Sequence, residues 1–385
     1  MTDAAPPVDR APGPVGAAPA APAREGPYGP IAPGGRLTYA WATPFAQLSM
    51  YVISAVPALI VASIAAIPVA IATGATIGED GGIPPALELT VYLVAILVQF
   101  PVWILFVALW VRAFERRSLA SAGFRGPRPV RQYLIGLAAG VGVAFLLAAL
   151  SPFVEPAVEV ELESFEVSRV LGADWLLTIV GVIALFLVQG ASEEVACRGW
   201  MMSAVAARRG LVAGVWVNVL VFASLHIHFF RQDMIEVGAL FASVLVVVTF
   251  GGWLGRWGLI GSLSACALGL ALVPWSLTVD DLAFGLVAMS AVACVGLFLS
   301  LWAIAERSIA GVCGVHGAFN ATIVVFGLIA VAATDPDASP AQVLLDTFKA
   351  ATAIGEDVNV AGTLVQLAVF AALSALVWRR LRQRR

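Results

Sequence analysis

Three short stretches of this chain hold polar side chains at spacings that could do chemistry. The first is Glu193-Glu194-Val195-Ala196-Cys197-Arg198-Gly199. On a helix, Glu194 and Arg198 stand one turn apart and can pair. Glu193 points about 100° away from Glu194, so the two carboxylates meet different neighbours. One can be held by the arginine while the other stays available. A desolvated carboxylate beside a water can serve as a general base. The bland alternative is a Glu–Arg pair capping a helix at the membrane interface, with Arg198 snorkelling to water. The second stretch is Phe222-Ala223-Ser224-Leu225-His226, followed by Ile227-His228. Phe222 and His226 share a helical face. His228 lies about 200° round from His226, so His-x-His cannot act as a chelate on a helix and His228 is placed at the interface. Buried polar groups are usually just hydrogen-bonded, so a satisfied core histidine is the plainer reading of His226. The third stretch is His316-Gly317-Ala318-Phe319-Asn320. His316 and Asn320 share a face, and both can donate hydrogen bonds, as an oxyanion hole requires. A polar clasp between helices is the competing reading of that pair.

These groups stand in surroundings hostile to them. The 385 residues are 60% hydrophobic and only 12% charged, with mean hydropathy +0.93. Soluble domains are about half apolar and a quarter charged, so this chain needs lipid as solvent. An ionisable group near a bilayer centre costs about 2.5–3.5 kcal/mol on insertion scales and marks function by default. All three histidines fall in or beside the three stretches. The net charge of −3 hides no basic patch interleaved with aromatics, which excludes nucleic acid as a partner. Cys197, Cys266, Cys294 and Cys313 form no CxxC pair and read as small buried hydrophobes.

The elements that must position these residues are membrane helices, giving an all-α polytopic bundle of 8–10 spans. A span needs about 20 apolar residues. Candidates are Gln47–Thr73, Leu89–Val111, Tyr133–Phe153, Trp175–Ala191, Leu211–Phe229, Val237–Leu254, Leu282–Ile304, Ile309–Ala333 and Val360–Trp378, with a weaker one at Leu259–Trp275. Arginines cluster at 112–131, at Arg208 and Arg209, and at 379–385. Ten spans place all of these, and both termini, on the cytoplasmic side. Residues 1–36 are rich in Pro and Ala and lack a signal-peptide core, so they read as a disordered cytoplasmic tail before a transmembrane domain at 37–385.

One geometric check joins two of the stretches. Arg209-Gly210 is the expected turn between antiparallel helices. Glu193 lies sixteen residues before Arg209 and His226 sixteen after Gly210. At ~1.5 Å per residue both stand ~24 Å from the turn, at one level. An unbroken helix from Asp174 to Arg209 would be ~54 Å long. Arg198–Arg209 is therefore expected to emerge into the cytoplasm, leaving Glu193 in the membrane near that face.

The three stretches, in this order and on separate helices, resemble the CAAX prenyl protease and bacteriocin-processing family of intramembrane endopeptidases. Its motifs EExxxR, FxxxH and HxxxN or HxxxD stand here as Glu193-Glu194…Arg198, Phe222…His226 and His316…Asn320. The resemblance covers about 133–333. It implies a helical bundle around an intramembrane cavity and an endopeptidase acting on membrane-associated or lipidated peptides. In that reading Glu193 and His226 activate water, and His316 and Asn320 stabilise the oxyanion. Glu194 counts with the catalytic set, while Arg198 and Phe222 support it. The long interval between the second and third motifs and the Pro/Ala-rich tail depart from the core pattern. No cofactor is expected. Zinc is the alternative, with His226, His316 and Glu193 as its ligands, but no HExxH occurs and a metal would consume the base and the donors. The inner membrane is the expected location. A non-catalytic immunity or regulatory protein on the same scaffold is the runner-up function. A transporter would show inverted repeats, and the sequence has none.

Overall fold

The computed structural model describes residues 24–31, 37–40, 42–74, 85–153, 170–226, 279–334, 337–353 and 360–383. The expected spans Val237–Leu254 and Leu259–Trp275, together with His228 and Cys266, lie outside the described residues. What is described is almost wholly helical. The helices are α1 (Thr43–Thr73), α2 (Pro85–Leu109), α3 (Pro129–Leu150), α4 (Ala173–Glu194), α5 (Ser203–Arg209), α6 (Leu211–Leu225), α7 (Val279–Glu306), α8 (Ala310–Thr334), α9 (Pro340–Ala353) and α10 (Val360–Gln383). Between α4 and α5 the chain continues as a π-helix, Val195–Met202. Among the described residues, seven helical stretches are long and apolar enough to cross a membrane, and α6 is a shorter apolar helix. The protein is an integral membrane protein. Helix α9 was not anticipated, because at 14 residues it is too short for a span.

Close approach of backbones sets the central layer, where α8 crosses α3 on one side and α4 on the other. A Cβ on Gly136 of α3 would stand 2.0 Å from the Gly311 carbonyl oxygen of α8. A Cβ on Gly190 of α4 would stand 2.6 Å from the Gly317 nitrogen. Apolar side chains gain nothing by leaving lipid for one another, so small residues that let backbones touch decide such crossings. Helix α7 packs against α6 and α10. Helix α1 pairs with α2 and presents Val52, Ile60 and Ile64 outward, as a lipid-facing surface would.

Two expectations are corrected. Residues 24–31, assigned with the tail by composition, form an antiparallel hairpin of β1 (Arg24–Gly26) and β2 (Gly29–Ile31). Tyr28 at its turn sits against the bundle, where its hydroxyl donates to the Arg198 carbonyl oxygen at 2.9 Å. Burial raises that phenol well above its ordinary pKa, so it stays a donor. Composition hides this because a single aromatic anchor orders an otherwise tail-like stretch. The second concerns the surroundings of Arg198–Arg209, which are protein for most of its length: Val195 to Ala206 are all buried, Ala207 and Arg208 half-buried and Arg209 exposed. Helix α6 folds back along it, and the hairpin and the turn after α2 cover it. Arg117, counted with the loop arginines, is buried there too. It pairs with Glu115 at 2.6 Å and donates to Ser203 Oγ at 2.9 Å. Glu115 also accepts from Thr38 and from Trp200 Nε1.

Candidate active site

The three stretches meet. Glu193 and Glu194 end α4, His226 caps α6, and His316 and Asn320 face inward from the middle of α8. The contact of Gly190 with Gly317 brings α4 and α8 together one turn from both the glutamates and His316. The turn at Gly210 folds α6 back so that His226 Nε2 comes 3.4 Å from Glu193 Oε2.

Glu194 is fully buried. Its Oε1 accepts from Arg198 Nη1 at 2.7 Å and lies 2.8 Å from His316 Nδ1. Arg198 is also fully buried and does not snorkel. Its Nη2 reaches the Gly296 carbonyl at 3.4 Å, and its guanidinium lies 4.0 Å from the centre of the Phe222 ring. With its amide oxygen turned towards the guanidinium, Asn218 accepts from Arg198 Nε at 3.2 Å and donates to the Cys197 carbonyl. Phe222 in turn stacks beside His226, with centroids 4.3 Å apart, and touches His316 edge-on.

Glu193 is the other carboxylate. Its Oε1 accepts from Gln189 Nε2. Its Oε2 lies 3.4 Å from His226 Nε2 and 3.8 Å from His316 Nε2. The opposite ring nitrogens are committed. His226 Nδ1 is 2.8 Å from the Phe222 carbonyl oxygen, an acceptor only, so this nitrogen carries hydrogen. His316 Nδ1 faces the Glu194 carboxylate and carries hydrogen by the same logic. Two neutral imidazoles would therefore turn lone pairs towards a carboxylate oxygen. Three converging acceptors call for something with positive character between them: a shared proton, a water with two hydrogens, or a cation.

Asn320 Nδ2 donates to Gln189 Oε1 at 3.2 Å, which closes a chain from Asn320 through Gln189 to Glu193. The sequence reading passed over Gln189. Its signal was a lone amide in an apolar run, one turn before Glu193. Beside His226, His316 and Asn320 opens a cavity of about 110 Å³, walled by Val292, Val295 and Leu299 of α7 and by Gln366 and Phe370 of α10. Glu194 reaches this site through His316, and through Arg198 and Phe222 beside His226.

The donor set also fits a metal. Glu193, His226 and His316 can each offer one ligand atom, all within 4.8 Å of one another. Two histidines and a glutamate are a known zinc set, and both Nδ1 atoms are held as ligating imidazoles require. The missing HExxH therefore counts for less than the sequence suggested, because the three ligands arrive from three helices.

Residues 175–322 match the family described as type II CAAX prenyl endopeptidase Rce1-like. Over this segment, less than half of its length, the chain is similar to that family. The matched segment contains all three motifs and ends two residues after Asn320, part-way along α8. No curated protein and no solved structure matches the chain.

Proposed function

We propose that the chain is an intramembrane endopeptidase that hydrolyses membrane-associated or lipidated peptides with a water activated by Glu193. The carrying observation is the convergence of His226 Nε2 and His316 Nε2 on Glu193 Oε2, with both Nδ1 atoms already committed. Water in that gap donates one hydrogen to Glu193 and the other to His226 Nε2. Glu193 takes a proton as the water oxygen bonds to the scissile carbonyl carbon. The carbonyl oxygen becomes an oxyanion. The second amide hydrogen of Asn320 is available to it, and His316 Nε2 can donate to it when that nitrogen carries a hydrogen. The proton on Glu193 then passes to the departing nitrogen, and the C–N bond breaks. Gln189 holds Glu193 in place throughout. A zinc ion, if bound, would be held by Glu193, His226 and His316 and would supply Lewis-acid polarisation. The metal-free reading is preferred because each residue then keeps one role. The arginine distribution supports cytoplasmic termini and a site near that face of the inner membrane.

The test is cleavage of quenched-fluorescence peptides, prenylated and plain, by protein purified in detergent. Glu193→Gln and His226→Ala are expected to lose about 10²–10⁴-fold in rate, the usual worth of general-base catalysis. Activity that survives a chelator supports the glutamate mechanism. Loss with chelator and recovery with zinc overturns that mechanism and keeps the protease. Equal cleavage by wild type and both variants sinks the enzyme reading.

A further inference from the structure

Gln366 lies on α10, well beyond the segment that matches the family. It lines the same cavity as His226, His316 and Asn320. Thr363 and Phe370 on the same side of α10 are buried, so the register turns Gln366 inward. Around it the cavity wall is apolar, made by Val292, Val295 and Leu299 together with Phe319 and Phe370. Yet the Gln366 amide has no hydrogen-bond partner among the described residues. Gln366 is half-buried, and its amide presents a donor and an acceptor to the cavity it lines. The contrast with the other cavity polar groups is sharp. His226 and His316 are each anchored through Nδ1, and Asn320 is tied to Gln189.

We infer that Gln366 is a substrate-positioning residue that hydrogen-bonds a backbone peptide unit of the bound substrate. A primary amide carries a donor and an acceptor in one plane, and a peptide unit offers the complementary pair. At about 110 Å³ the cavity is far smaller than the roughly 300–1,000 Å³ that encloses a whole small molecule. It accepts a short length of chain, with the reacting groups and Gln366 all in its lining. That length is then held at two points, which fixes the scissile carbonyl relative to Glu193. This inference rests on the endopeptidase reading for its substrate class, but its readout is binding and does not need turnover.

The experiment measures binding of a fluorescent prenylated peptide ending in Cys-aliphatic-aliphatic-Xaa, and of its plain counterpart, by anisotropy in detergent. Wild type is compared with Gln366→Met, and each peptide bond of the probe is N-methylated in turn. Gln366→Met should raise Kd about three- to tenfold, the worth of one hydrogen bond. One N-methyl position should cost wild type a similar factor and cost the variant nothing further, a coupling that general loosening would not produce. Where cleavage occurs, KM should rise with kcat within about twofold. The unfolding midpoint should not fall, because no internal bond is lost. Unchanged binding by Gln366→Met, identical N-methyl profiles, or no binding by wild type overturns the inference. The coupled binding pattern without any cleavage would leave the inference standing and sink the protease. Glutamate-dependent cleavage with Gln366-independent binding would do the reverse.

Discussion

Arg198→Leu should be among the most damaging single changes in the bundle, while Glu194→Leu/Arg198→Leu should be mild. Both side chains are fully buried and joined at 2.7 Å. Removing the guanidinium strands the Glu194 charge, and breaking a buried pair from one side costs about 3–5 kcal/mol. Glu194 keeps His316 Nδ1 as a partner, which places the expected loss near the lower end, about 3 kcal/mol. The double variant removes both charges, and apolar replacement of a buried pair is often neutral or stabilising. The pair is also incompletely satisfied, since Glu194 Oε2 is buried with no hydrogen-bond partner among the described residues. With Glu194→Leu completing the cycle and stranding the Arg198 charge in turn, the coupling energy should be at least about 3 kcal/mol. Unfolding in detergent, followed by tryptophan fluorescence, measures it. The double variant should also be catalytically poor despite its stability, because His316 loses the acceptor that fixes its ring. Equal destabilisation by the single and double variants would refute the reasoning, because Arg198 would then matter through packing alone.

Other consequences can be checked together. Gly317→Val should abolish activity and lower stability, because a Cβ at that position would already lie 2.8 Å from the Leu187 Cα; unfolding and cleavage assays read both effects. Gln189→Leu should leave the fold intact and reduce kcat/KM about tenfold, one hydrogen bond to Glu193 being lost. Tyr28→Phe should cost about 1 kcal/mol by removing the bond to the Arg198 carbonyl, and Tyr28→Ala about 3–5 kcal/mol through the cavity it leaves; the ordering of unfolding midpoints tests this.

What was legible in the sequence is what local rules dictate. Apolar length marks a span wherever it occurs, so the eight described helices that carry or flank the motifs fall where hydropathy places them. The common level of Glu193 and His226 was readable because helical rise is a ruler that works from sequence positions alone. The pairing of Glu194 with Arg198 follows from the same periodicity. The rest depended on contacts between distant segments. Nothing local shows that Val195–Met202 winds as a π-helix, a form that recurs at functional sites. Burial of Arg117 and Arg198, anchoring of the hairpin through Tyr28, and the bond from Asn320 to Gln189 each depend on residues separated by many turns of chain. Gln366 is the clearest case. On its own helix it is one amide in an apolar run. Only the packing of α10 against α7 decides that it faces the cavity, because helix–helix crossings in lipid are set by surface fit and not by any pattern within one helix.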